Sequence, residues 1–279
     1  MTLGVTAFVL LAALMHASWN ALIKSSRDTT LNTALLVGAA SLLSAPLLVF
    51  VPAPHVDSWP YLFASWAVHQ AYFAMVGACY RQGDLSLTYP LMRGVPPLLV
   101  ACGGALLLHD ITSPWIWVGV ITVSVGVLWI GGFRRMIRHA QARASALALI
   151  TAVLIAAYTL IDGMGARLSG NALSYGLWLF FLMAVPYVGI VVSRHPHAVV
   201  PHCRCHGWRA VLGAALSIGA YLIVLWAMTR APVAAVAALR ETSVIFAAII
   251  GAALLNEPFG RNRIAGACVV VAGIALMRL

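Results

Sequence analysis

The sequence predicts an all-α polytopic membrane protein, with ten transmembrane helices arranged as two inverted five-helix repeats. Three observations lead to this prediction: the composition, the spacing of the apolar segments and an internal repeat. Of the 279 residues, 62% are apolar and only 9% are charged, whereas about 25% are charged in soluble domains. Backbone polar groups inside a bilayer need partners within the chain, so the apolar segments should be helices. We therefore expect the lipid bilayer to surround most of the chain.

Charged residues, prolines and polar clusters divide the chain into ten apolar segments. The segments are residues 3–23, 31–51, 61–80, 85–108, 114–132, 144–163, 172–193, 208–229, 232–255 and 263–278. Most approach the roughly 20 residues that cross a bilayer as a helix. The longest connections, near 133–143 and 193–209, are short and basic, so no extramembrane domain is predicted. The first segment lacks a basic stretch before it and a small-residue cleavage site after it, so we expect it to be retained.

An internal repeat relates the ends of the two predicted halves. Shifted by 147 residues, residues 84–131 align with 231–278 without a gap, and nine positions are identical. The identical pairs are Arg93/Arg240, Ala101/Ala248, Gly104/Gly251, Ala105/Ala252, Leu107/Leu254, Leu108/Leu255, Gly119/Gly266, Val123/Val270 and Gly126/Gly273. Such self-similarity indicates duplication, which predicts a first half over 1–132, a basic connecting loop over 133–143 and a second half over 144–279. Five helices are an odd number, so the second half should enter the membrane inverted, as in many secondary transporters.

The basic residues predict an orientation rather than a nucleic-acid partner. The formal net charge is +10, but most arginines fall in the short connections, where they set topology and contact anionic lipid. On the predicted topology, twelve Lys and Arg residues lie on one side and three on the other. Because cytoplasmic connections carry the excess of positive charge, the count places both termini outside.

The fourth segment contains Pro90, Pro96 and Pro97 around Arg93. Proline removes backbone donors, so we expect this helix to be kinked or locally unwound, either as part of a moving gate or as a packing kink. The ninth segment, which contains Arg240, has no internal proline. The two halves are therefore not expected to break in the same way.

The paired arginines lie within apolar segments, where an arginine costs roughly 2.5–3.5 kcal/mol on insertion scales. Two explanations are open. Arg93 and Arg240 face a cavity and hold an anionic group of a substrate, since guanidinium suits carboxylate or phosphonate. Alternatively, they form internal salt bridges with Glu241 or Asp162, which lie well inside apolar segments.

Polar and aromatic side chains share faces of several predicted helices, which is typical of a small-molecule pocket. In the first segment His16, Trp19 and Asn20 recur at helical spacing, and in the sixth Tyr158 and Asp162 lie one turn apart. Packing or an interfacial belt is the alternative role of each aromatic residue. The candidate substrate-binding residues are Arg93, Arg240, Glu241, His16, Trp19, Asn20, Trp66, His69, Tyr72, Tyr89, Tyr158 and Asp162.

Several stretches carry a resemblance to a known family. They are "HASWNALIK" (16–24), "GDLSLTYPL" (83–91), "AAYTLIDGMGAR" (156–167), "LLLHDITSPWIWVGVITVSVGVLWI" (106–130) and "ALLNEPFGRNRIAGACVVVAGIALM" (253–277). With these stretches the chain resembles the EamA-type branch of the drug/metabolite transporter superfamily. Glu257-Pro258 fits the family's acidic residue and turn, whereas His109-Asp110 is a looser version. The resemblance implies a 5+5 inverted-repeat fold and alternating-access transport of small metabolites such as amino acids, amines or drugs. It also implies cytoplasmic termini, opposite to the charge count.

We therefore predict a secondary transporter, driven by a gradient or by exchange, for a small anionic or zwitterionic metabolite such as an amino acid or aminophosphonate. An exporter of cationic or aromatic drugs or amines and a passive channel are the alternatives. The sequence contains no H-E-x-x-H, G-x-S-x-G or P-loop motif, so neither an enzyme nor ATP-driven transport is predicted.

No cofactor or metal site is predicted. The tract "HPHAVVPHCRCH" (195–206) resembles a metal-binding tract in composition, but its spacing matches no zinc pattern. The expected location is a cell membrane, of the bacterial inner-membrane type, with the chain crossing it many times. A monomer and a homodimer are both compatible with the sequence.

Overall fold

A computed structural model describes residues 1–24, 28–82, 85–110, 113–131, 142–255 and 260–279. Within these ranges the chain is helical and contains no strand. The helices are α1 Leu3–Lys24, α2 Thr29–Leu47, α3 Trp59–Gln82, α4 Leu85–Gly94, α5 Pro96–Leu107, α6 Pro114–Ile130, α7 Ala142–Leu168, α8 Ala172–Arg194, α9 Pro196–Met228, α10 Val233–Arg240, α11 Ser243–Leu255 and α12 Arg261–Leu276. Two short 3₁₀ helices, Leu48–Phe50 and Val56–Ser58, connect α2 to α3. The predicted all-α class is confirmed.

Seven stretches of the described chain are long and apolar enough to cross a membrane. They lie in α1, α2, α4–α5, α7, α8, α9 and α10–α11, and α6 is a shorter apolar helix. The protein is therefore a multi-pass membrane protein, while the count of ten spans stays a prediction.

The two longest predicted connections differ from the expectation or lie mostly outside the described residues. The connection predicted near 193–209 is wrong, because α9 begins at Pro196 and continues without interruption to Met228. Proline in the first turn is compatible with a helix, which explains why Pro196 starts α9 instead of preventing it. Of the connection predicted over 133–143, the last two residues belong to α7, and the rest lies outside the described residues.

Local capping signals explain where several helices begin. The Asp28 carboxylate accepts two backbone N–H groups of the first turn of α2, both at 3.0 Å. Asn171 caps α8 in the same way, at 3.0 and 3.3 Å. Ser113 precedes Pro114 and caps α6. These side chains satisfy donors that have no partner within the helix.

The predicted break in the fourth segment is confirmed. The helix α4 ends at Gly94 and α5 begins at Pro96. Pro96 and Pro97 have no N–H to donate to the carbonyls of Met92 and Arg93, so the α-helical bonding pattern stops here. Arg93 therefore lies at the C-terminal end of a half-helix, inside the protein.

The ninth segment is also broken, and, as expected from its lack of an internal proline, it breaks in a different way. The helix α10 ends at Arg240 and α11 begins at Ser243. The N–H groups of Glu241 and Thr242 each donate to a carbonyl three residues back, both at 3.1 Å. This tighter 3₁₀ bonding ends α10 without a proline. Both breaks directly follow the paired arginines, so they occupy equivalent positions of the 147-residue repeat.

The helices α6 and α12, which correspond in the repeat, pack along each other through glycines. A Cβ on Gly126 would lie 2.9 Å from the carbonyl oxygen of Gly266, and a Cβ on Gly266 would lie 2.9 Å from that of Gly126. A Cβ on Gly273 would lie 2.9 Å from the carbonyl oxygen of Gly119. In the 147-residue repeat, Gly119 corresponds to Gly266 and Gly126 corresponds to Gly273. The contact between Gly126 and Gly266 is therefore equivalent to the contact between Gly273 and Gly119. Small residues permit this close approach of membrane helices.

Replacing Gly266 with alanine is expected to lower the stability of the protein by about 1–3 kcal/mol, because the new methyl group meets the backbone of α6. Gly104→Ala is the matched control, since a Cβ there meets no atom within 4 Å. Thermal melting of both purified variants in detergent checks the expectation. Equal melting of Gly266→Ala and the parent protein would contradict the close packing of α6 and α12.

Candidate functional site

A cluster of buried charges lies where the two broken helices meet. The Nε atom of Arg93 lies 2.9 Å from Oε2 of Glu241, as a close ion pair without hydrogen-bond alignment. The Nη2 atom of Arg93 donates to the Ser243 hydroxyl at 3.0 Å. The Nε atom of Arg240 lies 4.0 Å from the other carboxylate oxygen of Glu241. Side chains from the ends of α4, α10 and α11 thus form one polar centre, which we name the arginine cluster: Arg93, Arg240, Glu241 and Ser243.

The arginine cluster contains two arginines and one carboxylate, so it carries one excess positive charge. Arg93, Arg240 and Glu241 retain only 8%, 6% and 1% of their accessible surface. Arg93 makes the closer ion pair with the shared carboxylate. The Nε atom of Arg240 is buried and has no hydrogen-bond partner among the described residues. A buried charged donor without a partner is costly, so an anionic ligand would be stabilised at Arg240.

Side chains of α4 and of two further helices, α1 and α7, lie near the arginine cluster. His16 of α1 lies in the electric fields of both arginines. Tyr89 of α4 lies in the fields of Arg93 and Glu241, and Tyr158 of α7 lies in the fields of all three charged side chains. Rings that carry polar groups therefore lie near the cluster, as is typical of a small-molecule site.

A second buried polar centre surrounds Asp162 of α7, which has no exposed surface. One oxygen of Asp162 accepts the Tyr175 hydroxyl at 2.9 Å, and the other accepts the Tyr221 hydroxyl. Acceptance at both oxygens is what an ionised carboxylate does. We name Asp162, Tyr175, Tyr221 and the neighbouring His69 the Asp162 centre.

His69 connects the two centres. Its ring stacks on Tyr158 with a centroid distance of 4.1 Å and meets Tyr221 edge-on at 6.4 Å. Its Nδ1 atom lies 2.9 Å from the Ser65 carbonyl oxygen, which only accepts, so this nitrogen carries the hydrogen. His69 lies in the fields of both Asp162 and Arg240. The two polar centres are therefore neighbours within one buried region.

An ion pair closes one end of the bundle. Arg167 at the end of α7 donates to both oxygens of Asp110, at 2.7 and 3.2 Å. Arg167 also donates to the backbone carbonyls of Met228 and Ala231, at 2.9 and 3.2 Å. Asp110 accepts the N–H of Val233, the first residue of α10, at 2.9 Å. We name Asp110, Arg167 and Val233 the end latch.

The half-helix α10 joins the end latch to the arginine cluster. It begins at Val233, ends at Arg240 and is buried at every residue. Because a short helix moves as a unit, displacement of its first turn also displaces Arg240. The two polar sites are therefore mechanically linked through eight residues.

Comparison with known families identifies the class of protein. Residues 142–279 match the model of the EamA-like transporter family. Through this half, the chain belongs to the EamA-like transporter family. The predicted resemblance to the drug/metabolite transporter superfamily is thereby confirmed. Transport across a membrane is the coarse function that this membership supports.

The fold of this EamA-like protein also occurs among solved structures, of which 28 chains match. One, described as "Crystal structure of protein", aligns with a TM-score of 0.78 and 15% identity over 98% of this chain and 96% of its own. At this identity the similarity concerns the fold. No curated protein sequence matches the chain significantly.

The structure brings most of the predicted site residues into this region and leaves others elsewhere. Besides the residues of the two centres, it places Tyr72 edge-on against Tyr158 at 5.7 Å. Trp66 instead donates its indole N–H to the backbone of α8 at 3.0 Å. The Asn20 amide donates back to the His16 carbonyl at 2.7 Å. Trp19 packs edge-on against His16, and its indole nitrogen is buried without a partner among the described residues.

Five polar side chains of these sites were not predicted from the sequence: Ser243, Tyr175, Tyr221, Asp110 and Arg167. Tyr175 and Tyr221 lie 13 and 59 residues from Asp162, on other helices, and only the need of a buried carboxylate for donors pointed to such partners. Asp110 and Arg167 offered a stronger signal. Both fall on the side of the predicted topology that carries only three basic residues, which makes them natural partners. In the described part of the chain, no three His, Cys, Asp or Glu side chains come together to hold a metal ion.

Proposed function

We propose that this EamA-like protein is a secondary transporter of a small organic metabolite with an anionic group, an amino acid or aminophosphonate being the expected kind. It works by alternating access in a cell membrane of the bacterial inner-membrane type. The observation that carries the proposal is the excess positive charge of the arginine cluster, enclosed at the junction of two broken helices. Broken helices near the middle of a membrane are where secondary transporters bind their substrates.

Three features support an inverted repeat of ten helices as the framework for this transport. First, both helix breaks follow arginines that are equivalent in the 147-residue repeat. Second, the repeat also makes the two glycine contacts between α6 and α12 equivalent to each other. The half-helices also pack unequally. The helix α10 packs against α5, whereas the equivalent pair, α4 and α11, meets only weakly in the described residues. Two equivalent elements in different packing arrangements are what alternating access requires.

Arg240 is the proposed anion-binding residue. Arg93 lies close to Glu241 and donates to Ser243, whereas Arg240 approaches the same carboxylate only at 4.0 Å and its Nε atom has no hydrogen-bond partner among the described residues. Its guanidinium group presents several N–H donors in one plane and matches a carboxylate or phosphonate. The buried setting strengthens this attraction, because little water competes for the same donors.

Replacing Arg240 with glutamine is expected to raise the half-saturating substrate concentration by about 10- to 100-fold, since a hydrogen bond to a charged group contributes about 1.5–3 kcal/mol. The variant should remain folded, because Glu241 keeps Arg93 as its partner. The measurement is uptake by purified protein in liposomes, with labelled amino acids, aminophosphonates, choline and guanidinium compounds as the panel.

Arg230→Gln is the matched control, because Arg230 is exposed and lies over the Trp226 ring. It removes the same charge without touching the arginine cluster. Unchanged half-saturation in a folded Arg240→Gln variant would refute the proposed anion site. Uptake of choline or guanidinium compounds alone would favour the export of cationic compounds instead.

A further inference from the structure

We propose that the Asp162 centre binds the cationic group of the transported molecule, so that the substrate is a zwitterion held between Asp162 and Arg240. This inference rests on the proposed function and specifies its substrate class. It assigns the ammonium group to Asp162 rather than to Glu241, the other acid among the candidate site residues. Glu241 is the acid next to the arginines in the sequence, but its carboxylate lies against Arg93 in the structure.

The buried charges of the protein are unequally paired. Among the described residues, four side chains with a permanent charge are at least nine-tenths buried: Arg93, Arg240, Glu241 and Asp162. Arg93 and Glu241 form a close pair. In the described chain, Asp162 has no basic side chain within ion-pair distance, and Arg240 reaches only the shared Glu241 at 4.0 Å. The two incompletely neutralised charges have opposite signs, as the two ends of a zwitterion require.

The hydrogen bonds of Asp162 leave some capacity for a ligand. Each carboxylate oxygen offers about two lone-pair sites. Each oxygen accepts one tyrosine hydroxyl here, and the Ser65 hydroxyl is a third neighbouring donor, so about one site is left for a ligand. The phenol donors hold the carboxylate in a fixed orientation and offset part of the cost of burying it. An ammonium group would supply the positive charge that these neutral donors lack.

The stacked rings of His69 and Tyr158 lie near both charges. His69 and Tyr158 both lie in the fields of Asp162 and of Arg240. The rings themselves continue from Asp162 through Tyr221 and His69 to Tyr158, so we expect a molecule held by both charges to lie along them. The proposed site is therefore elongated, with Asp162 at one end and Arg240 at the other. The aromatic residues that the sequence predicted for a pocket lie along it.

The chemistry of the Asp162 centre favours an organic ammonium over a metal ion. Ca²⁺ and Mg²⁺ prefer about six or more oxygen ligands in a shell, whereas the Asp162 centre has one carboxylate and two tyrosine hydroxyls bonded to it. The Tyr221 ring is approached edge-on by both His69 and Phe180. Aromatic faces and a carboxylate together are the usual setting for an ammonium group.

The test compares three forms of one metabolite in liposomes that contain the full-length protein. An amino acid has both charges, its 2-hydroxy acid lacks the amine, and its amide lacks the carboxylate. Phenylalanine, leucine and serine, each with these two analogues, are the probes, used as competitors of uptake of the labelled amino acid. The parent protein is expected to prefer the amino acid over the hydroxy acid by about tenfold or more, since charged hydrogen bonds are involved.

Asp162→Asn is expected to remove the preference for the amine while keeping the preference for the carboxylate, and Arg240→Gln is expected to do the reverse. Asp57→Asn is the matched control, because Asp57 is 68% exposed at a bundle end. If Asp162→Asn does not fold, Tyr221→Phe decides, since it removes one donor to Asp162 and keeps the ring. A smaller loss of the amine preference is expected there.

The outcomes separate the two proposals. If Arg240→Gln loses transport while Asp162→Asn and Tyr221→Phe keep the full preference for the amine, the cation site is refuted and the transporter proposal stands. If the parent protein takes up none of the nine probes and no other member of the uptake panel, both proposals fail. If the parent protein prefers the amide over the amino acid, the site binds a cation that has no carboxylate. This result would refute the proposal that the substrate is a zwitterion.

Discussion

Replacing Glu241 with alanine is expected to destabilise the protein by about 3–5 kcal/mol, the usual cost of removing one partner of a buried ion pair. The change leaves two guanidinium groups buried without a carboxylate, since Glu241 is the acid that both Arg93 and Arg240 approach. Thermal or denaturant unfolding of the purified variant in detergent measures the loss. We expect this to be among the largest effects of a single substitution in the bundle.

Asp57→Ala is the control for Glu241→Ala, because Asp57 is 68% exposed and lies 3.3 Å from His55. Its removal is expected to change stability by about 0–1 kcal/mol. A third variant separates charge from packing. Replacing Arg93, Arg240 and Glu241 together with glutamine removes all three charges and is expected to recover much of the stability lost by Glu241→Ala. A Glu241→Ala variant as stable as the parent protein would contradict the arginine cluster.

Opening the end latch is expected to have the second largest effect. Asp110→Ala removes the bidentate partner of Arg167 and the acceptor of the Val233 N–H group at once. The side chains are 11% and 27% exposed, so we expect a loss of about 3 kcal/mol, at the lower end of the range for buried pairs. Transport should also slow, because α10 carries Arg240 at its other end.

Asp28→Ala is the matched control for the end latch. Asp28 also caps a helix through two backbone N–H groups, and loss of such a cap costs about 1 kcal/mol. Exchanging the latch charges, with Asp110→Arg and Arg167→Asp combined, restores the attraction but not the cap of Val233. We therefore expect partial recovery of stability. Equal stability of Asp110→Ala and Asp28→Ala would show that the ion pair contributes little.

The positions of the membrane helices could be predicted well because composition alone sets them. The first segment was predicted over 3–23 and is Leu3–Lys24, and the seventh was predicted over 172–193 and is Ala172–Arg194. The start of α9 at Pro196 was missed. Basic and histidine residues indicate the end of an apolar segment, but they do not prevent a helix from continuing beyond the bilayer.

The breaks near the site show a sharper limit of sequence reasoning. The break at Pro96 was predictable, since proline removes a donor. The equivalent break after Arg240 has no proline, and the backbone there tightens instead into 3₁₀ bonds at Glu241 and Thr242. A repeat search gave the only advance signal, because it aligned Arg240 with an arginine at a predicted break.

The candidate site was predictable by residue type and not by pairing. Paired arginines and an acid in apolar segments pointed correctly to a buried charged centre. Which arginine Glu241 approaches depends on how two half-helices meet in space, and the sequence left both options open. The same holds for Asp162, whose partners Tyr175 and Tyr221 come from α8 and α9. Tertiary packing, rather than local spacing, selects these partners.

Counterflow in liposomes tests the central claim most directly. Vesicles containing the purified protein are loaded with a high concentration of an unlabelled amino acid and diluted into a trace of the labelled compound. An alternating-access transporter returns to the outside more often with substrate bound, so we predict a transient accumulation of label above its equilibrium level. A channel, or a protein that does not transport, would give simple equilibration or no uptake, and either result would contradict the claim.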